Sequence, residues 1–265
     1  MTPSREKPNP ADMAYSKEKK FNLAFNIFLV TGMLVAVTVT TLLKLRQPEV
    51  RTFMLLLAGF GSLTGVVNTV MSANGNILTF VFGFVDVLIG SIVYFDNGIP
   101  GNFALHAFYF LPMQFIGFWQ WRKRGARLGS GAGGSRKVTP RRLTGRQGLY
   151  VAGGVLAGTA VAYLILLNMG GGTPDKPKIL LDAIVTVLNI TGQILMSLAF
   201  MEQWYIWNLV NVSSICLWAV TIAGSSASGY AVVMLLKYVF YLLNSLNGLR
   251  IWLSLSRGGM RAGFA

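Results

Sequence analysis

The sequence predicts an all-α fold: a polytopic membrane helix bundle of eight spans, with a 3+1+3 parallel-repeat core and one extra N-terminal helix. Three observations predict it. Only 12% of residues are charged and 53% are hydrophobic, against about a quarter charged in a soluble domain. Eight apolar runs each approach the ~20 residues that cross ~30 Å of hydrocarbon. The basic residues fall in alternate connections. An open sheet cannot satisfy its backbone in lipid, so the runs read as helices.

In chain order, residues 1–20 form a polar tail, too charged for a signal peptide, and 21–43 is the extra span. Runs 50–71, 75–95 and 101–121 make a first three-helix repeat, 50–121. A basic Gly-rich loop follows at 122–147, its run Gly129 to Ser135 giving flexibility and its charges holding it in water. A connecting helix, 148–169, precedes the second repeat, 178–255, built from 178–201, 203–223 and 229–255. Residues 256–265 are a C-terminal tail.

The repeat shows in two matches. Phe82-Gly-Phe-Val-Asp86-Val87 parallels Trp207-Asn-Leu-Val-Asn211-Val212, and Gly117-x-x-x-Trp121 parallels Gly248-x-x-x-Trp252. Three spans plus a linking helix is an even offset, so the repeats run parallel, a plan in which transporter sites lie at the repeat interface. Gly61-x-x-x-Gly65 and Gly154-x-x-x-Gly158 are spaced for close helix approach.

Net charge is +14. In a soluble chain that would point to nucleic acid; here it is a topology signal. Sixteen Lys/Arg lie in 1–20, 122–147 and the C-terminal tail, against five in the opposite connections. The positive-inside rule places both termini and the 122–147 loop in the cytoplasm, where the loop meets anionic lipid. No nucleic-acid partner is expected.

No enzyme constellation is visible. His106 is the lone histidine, Cys216 the lone cysteine, and no phosphate-binding Gly-rich loop ends in Lys-Ser/Thr. No metal site and no cofactor are expected, and elimination favours binding or transport. Polar residues inside the spans agree in depth at 1.5 Å per residue: Asn211, Gln193 and Asn247 at roughly 12 Å from the cytoplasmic helix ends, Gln114 at roughly 10 Å and Asp86 at roughly 16 Å. They point to one polar chamber near the midplane, though each amide could instead be interhelical glue. A carboxylate such as Asp86 costs roughly 2.5–3.5 kcal/mol at a helix centre, so it faces the chamber, pairs, or is protonated. Asp182 and Lys237 are read as an ion pair fixing helix packing. Trp121 and Trp252 are read as an interfacial belt, Trp204 fits belt or site, and Trp207, one turn deeper, is assigned to the site.

The sequence carries Asp182, Ile194-Leu195-Met196, Glu202-x-Trp204-x-x-Trp207-x-x-x-Asn211 and Asn247-Gly248-x-x-x-Trp252, with Phe82-Gly83 and Pro112-Met113-Gln114-x-x-Gly117-x-x-x-Trp121 in the first half. Over about 50–255 this pattern resembles the PnuC family of vitamin transporters. The resemblance implies uptake of nicotinamide riboside, an NAD precursor, by facilitated diffusion across the bacterial inner membrane. It implies a fold similar in plan to the SWEET transporters, a homotrimer, and trapping of the riboside by a cytoplasmic kinase. It maps the substrate site onto Trp204, Trp207, Asn211, Gln114 and Asn247, to which the depth argument adds Gln193 and Asp86. The extra first span departs from the family pattern. A flat cation such as thiamine would suit the same tryptophans, and a receptor that binds without transporting would use the same site.

Overall fold

The computed structural model describes residues 10–45, 52–96, 103–127, 136–169, 176–223 and 229–262. They form eight helical stretches: α1 Pro10–Leu45, α2 Thr52–Ala73, α3 Thr79–Asp96, a π-helical turn Leu105–Phe110 running straight into α4 Leu111–Lys123, α5 Gly145–Met169, α6 Lys176–Ser197, α7 Gln203–Ala223 and α8 Gly229–Ala262. Among the described residues the only extended pairing is two isolated bridges, Arg127 with Arg136 and Arg141 with Phe200. Among the described residues four segments are long and apolar enough to cross a membrane: Ser16–Leu43, Thr52–Ala73, Gly145–Asn168 and Lys176–Ser197. Large apolar side chains such as Phe53, Phe108, Leu149 and Leu156 point outward, as a lipid-facing surface requires.

The helix ends differ from the apolar runs for local reasons. α1 begins at Pro10, in the stretch read as a tail, because Pro suits a first helical position and nothing between it and Gly32 breaks a helix. Residues 1–9, the Gly129 to Ser135 run and 263–265 lie outside the described residues. α3 starts at Thr79, not 75, because Asn74-Gly75-Asn76 makes a turn: Gly75 sits at φ +67° and Asn76 Oδ1 accepts the Leu78 N–H (3.0 Å). The matching turn between α6 and α7 puts Ala199 at φ +59°, where a side chain costs roughly 1–2 kcal/mol relative to a right-handed backbone. α5 opens on a reciprocal cap, Thr144 N–H to Gln147 Oε1 (3.0 Å) and Gln147 N–H to Thr144 Oγ (3.3 Å).

α2 packs on α3, α6 on α7, and α7 on α8; α2 also meets α8, and α4 meets α6. The small-residue seam of α2 is a true close approach. A Cβ on Gly61 would lie 2.7 Å from Ile89, and one on Gly65 2.9 Å from the Asp86 carboxylate. In α5, Gly158 abuts Val187 while Gly154 has open space around it. α1 docks on α2 and α8 through Leu29, Met33, Val37, Val66 and Val70.

Trp121 and Trp252 are not an interfacial belt. Both are fully buried in a knot with Phe80, Met196, Met201 and Trp204. The Trp121 Nε1–H donates to Met196 O of α6 (2.8 Å), and the Trp252 Nε1–H donates to Ser72 O of α2 (3.1 Å). The glycine four residues before each tryptophan makes room for a second ring: Phe80 lies against Gly117 and Trp204 against Gly248. The exposed tryptophan at this end is Trp119, with Lys123 Nζ 3.3 Å from its ring centre.

The described part of the basic loop does not float in water. Ala126 and Val138 are buried in the same knot. Val138 N–H donates to Gly75 O (3.0 Å), Arg141 N–H to Ala199 O (2.7 Å), and Met201 N–H returns to Arg141 O (2.9 Å). Glu202 accepts from Arg142 Nε (3.0 Å) and the Leu143 N–H (3.1 Å). The loop thus straps together the two tight turns, α2–α3 and α6–α7.

Candidate functional site

A cavity of about 280 Å³ lies inside the bundle. Its walls come from α2, α3, the π-turn, α4, α6, α7 and α8. Six of the seven residues picked out in the sequence line it: Trp204, Trp207, Asn211, Gln114, Gln193 and Asp86.

The seventh, Asn247, lies outside this lining. It is buried, and its Oδ1 accepts from Arg250 Nε (3.2 Å) and Nη2 (3.0 Å). Arg250 in turn donates to Glu18 Oε1 (3.3 Å) and to Asn22 of α1. Asn247 therefore belongs to the contact that holds α1. On α8 the cavity is met instead by Lys237, Tyr238, Tyr241, Asn244 and Ser245, none of which was singled out for the site. Asn68 and Ser72 on α2, and His106 and Phe110 around the π-turn, were missed as well.

Helix geometry sorts the lining by depth. Trp204, Trp207, Met196 and Ser72 are near the strapped ends of their helices, whereas Asp182 and Lys237 lie toward the opposite ends. One end of the cavity thus carries the two tryptophans and the other the charged groups. Asp86, Asp182 and Lys237 all line it; Lys237 acts electrostatically on Asp86, and Lys178 on Asp182.

The rings are held from behind. Trp204 is 3% exposed and packs at a tilt of 57° against Trp252, with ring centres 6.1 Å apart. Trp207 lies over Gly192, where a Cβ would stand 3.2 Å from the ring. Gly83 does the same for the amides: it leaves space for Gln114 and Asn68. The π-turn is pinned to α6 by the Tyr109 hydroxyl, which donates to Ile190 O (2.7 Å). Widened helical turns of this kind re-aim side chains and cluster at functional sites, and this one directs His106 and Phe110 to the cavity.

Three buried polar atoms on the lining have no protein partner: Gln114 Oε1, Asn244 Oδ1 and Trp204 Nε1. An unpartnered buried polar atom costs roughly 1–3 kcal/mol. Gln114 Oε1 is packed against Gly83; it is the tryptophans and amides of the lining taken together that a flat ligand with its own donors and acceptors would complete. Among the described residues no group of three or more His, Cys, Asp or Glu is arranged to hold a metal ion.

Residues 55–254 match a family model described as "Nicotinamide mononucleotide transporter". Relatives named nicotinamide riboside transporter PnuC include one from Neisseria mucosa, 35% identical over 75% of this chain and 72% of its own. Another, from Haemophilus influenzae, is 30% identical over 75% and 80%, and one from Escherichia coli is 23% identical over 74% and 84%. A solved structure, a crystal structure of the vitamin B3 transporter PnuC, superposes with a TM-score of 0.65 at 30% identity, covering 87% of this chain and 92% of that one. That share exceeds everything C-terminal to α1, so the likeness reaches into the extra helix.

Proposed function

We infer the function from one premise: the chain belongs to the nicotinamide mononucleotide transporter family, whose members are multi-pass membrane transporters and not enzymes. On that premise it carries nicotinamide riboside, the substrate in its relatives' names. The observation that carries this reading is the cavity itself, where two tryptophan faces and a set of amides meet between helices of both halves. Nicotinamide is a planar cation in the riboside, so each indole face can contribute about 0.5–2 kcal/mol of cation–π attraction. The carboxamide and ribose hydroxyls need donors and acceptors, which amides supply together. The volume is near the lower end of the roughly 300–1,000 Å³ of small-molecule pockets, suited to a nucleoside.

The substrate sits near the midplane between two parallel three-helix repeats, α2–α4 and α6–α8, with α5 linking them and α1 outside. The crossed tryptophan bonds support the repeat: the third helix of each triplet bonds the first helix of the other. So do the two left-handed turns at equivalent places. Small rocking of one triplet against the other then alternates access, by facilitated diffusion, and cytoplasmic phosphorylation of the product draws net uptake. The bundle works as a homotrimer in the bacterial inner membrane, with both termini and the basic strap on the cytoplasmic side against anionic lipid.

Calorimetry on the purified protein with nicotinamide riboside and thiamine side by side tests the assignment, and counterflow in proteoliposomes tests transport. Riboside binding without thiamine binding is expected, with counterflow. Thiamine binding alone overturns the substrate; binding without counterflow makes the protein a receptor.

A further inference from the structure

The strap between α4 and α5 divides at one residue. Before Pro140, among the described residues, its hydrogen bonds go to the first half of the chain. Arg136 and Arg127 exchange two backbone bonds (3.1 Å each), Val138 N–H donates to Gly75 O of the α2–α3 turn (3.0 Å), and Thr139 N–H donates to Arg124 O just past α4 (3.1 Å). Arg124 Nε returns a bond to Thr139 O (2.9 Å). After Pro140 they go to the second half. Arg141 N–H donates to Ala199 O (2.7 Å), and Met201 N–H donates to Arg141 O (2.9 Å). The Arg141 guanidinium lies 4.3 Å from the Phe200 ring centre. Glu202 accepts from Arg142 Nε (3.0 Å) and from the Leu143 N–H (3.1 Å), and Arg142 Nη1 reaches Ser256 Oγ of α8 (3.4 Å). The helix that follows, α5, packs on α6.

Pro140 itself has no N–H to give to either side, and its ring fixes φ near −65°. Thr139 and Arg141 are two residues apart, so their Cα atoms can be no more than about 7 Å from each other. While the bonds on both sides hold, the two halves cannot separate at this point. Releasing either side would break several hydrogen bonds together. Turning on the backbone torsions beside Pro140 leaves them in place.

We propose that Thr139-Pro140-Arg141 is the pivot on which the two halves of the bundle rock: they turn at this link and do not part there. The proposal rests on the rocking reading above and adds the place where that motion is anchored. Hinges between rigid bodies are a few loop residues that absorb a change of torsion. A turn of about 10° at one membrane face carries groups at the other, ~30 Å away, through about 5 Å. The ends of α6 and α8 that carry Asp182 and Lys237 therefore swing further than the strapped ends.

Two variants of the full chain in proteoliposomes set the pivot against a strap that lets go. Arg141 and Phe200 face each other across a parallel bridge. Backbones so paired stand about 4.7–4.9 Å apart, inside the roughly 4.4–6.8 Å between Cα atoms that a disulfide needs. Arg141→Cys with Phe200→Cys, made with Cys216→Ser so that no other thiol is present, locks the strap to the α6–α7 turn on oxidation. Riboside counterflow is expected to agree within about twofold between the oxidised and reduced forms, because a pivot never lets go. Counterflow lost on oxidation and recovered on reduction overturns the pivot and makes the strap a latch. Failure of the two thiols to pair under oxidant overturns the clasp on which the pivot stands. Gly-Ser-Gly-Ser inserted between Thr139 and Pro140 leaves each strap residue its bonding groups and lengthens only the link. Longer loops cost a fold little, so this variant serves if the cysteine pair does not fold. Its counterflow should fall about fivefold or more while calorimetric affinity for the riboside stays within about twofold. Unchanged counterflow overturns the pivot and leaves the transport reading standing. Wild-type protein that binds the riboside without counterflow overturns the rocking itself and the pivot with it.

Discussion

Gly248→Ala places one methyl group where the structure has no room for it. The new Cβ would lie 2.6 Å from two Trp204 ring carbons, against 3.5–4.0 Å for a comfortable carbon contact, so the ring must recede by roughly 1 Å. Behind Trp204 stands Trp252, fully buried, bonded to Ser72 O and backed by Trp121 at 5.5 Å between ring centres. That side cannot yield, so the indole moves into the cavity. Overpacking of this kind costs about 1–3 kcal/mol. If the ligand bears it, 1.4 kcal/mol is tenfold in affinity, and riboside binding should weaken about tenfold. If the fold bears it, thermal unfolding in detergent shifts down instead. Gly154→Ala is the control: nothing outside its own helix backbone lies within 4 Å of its Cβ, so affinity should hold and the unfolding temperature should stay or rise, with up to about 1 kcal/mol of helix propensity gained. A Gly248→Ala protein with wild-type affinity and wild-type unfolding temperature would refute the packing argument.

Other predictions follow from the same geometry. Trp207→Ala should weaken riboside binding by about 2- to 30-fold, the range of one cation–π contact, and lower the unfolding temperature through the packing lost against Gly192; normal transport would remove Trp207 from the site. Trp121→Phe deletes the donor to Met196 O and should destabilise the bundle by about 1–3 kcal/mol, read by thermal unfolding. Glu202→Ala removes the acceptor for Arg142 and for the Leu143 N–H. The ion pair is partly exposed and contributes about 0–1 kcal/mol, so the expected sign is faster tryptic cleavage at Arg141 and Arg142, with only a small change in unfolding temperature; unchanged cleavage would mean the strap is held elsewhere.

Most of the bundle was legible because lipid leaves few choices. An apolar run must be a helix, and its length bounds its ends. What escaped were features set by contacts distant in sequence. The π-turn Leu105–Phe110 carries no periodicity of its own; it is held by the Tyr109 bond to Ile190, 81 residues away. The strap reads as a charged linker because its charges dominate the composition, yet Val138 and backbone N–H groups do the docking. Trp121 and Trp252 sit at helix ends, where a belt is the ordinary expectation, and only three-dimensional packing shows that each reaches across to a helix of the other half of the chain.

Asn247 is where two lines of sequence reasoning part. The family pattern maps it to the substrate. The internal match of Gly117 with Gly248, carried back three residues, pairs Gln114 with Ser245, both on the cavity, and carried back one residue it pairs Asn247 with Ile116, which is 45% exposed on the outer face. The match thus pairs position 247 with an outward-facing one, and α1 covers it through Arg250, Glu18 and Asn22. Asn247→Ala should therefore loosen α1: Arg250 loses an acceptor, and partly exposed charge-assisted bonds of this kind contribute about 1 kcal/mol or less. Unfolding temperature should drop slightly while riboside affinity stays within about twofold, a change of under ~0.5 kcal/mol. Asn211→Ala, by contrast, should lower affinity with unfolding little altered. Loss of affinity in Asn247→Ala at an unchanged unfolding temperature would return that residue to the substrate, and would mean that α8 turns about its axis when the cavity fills.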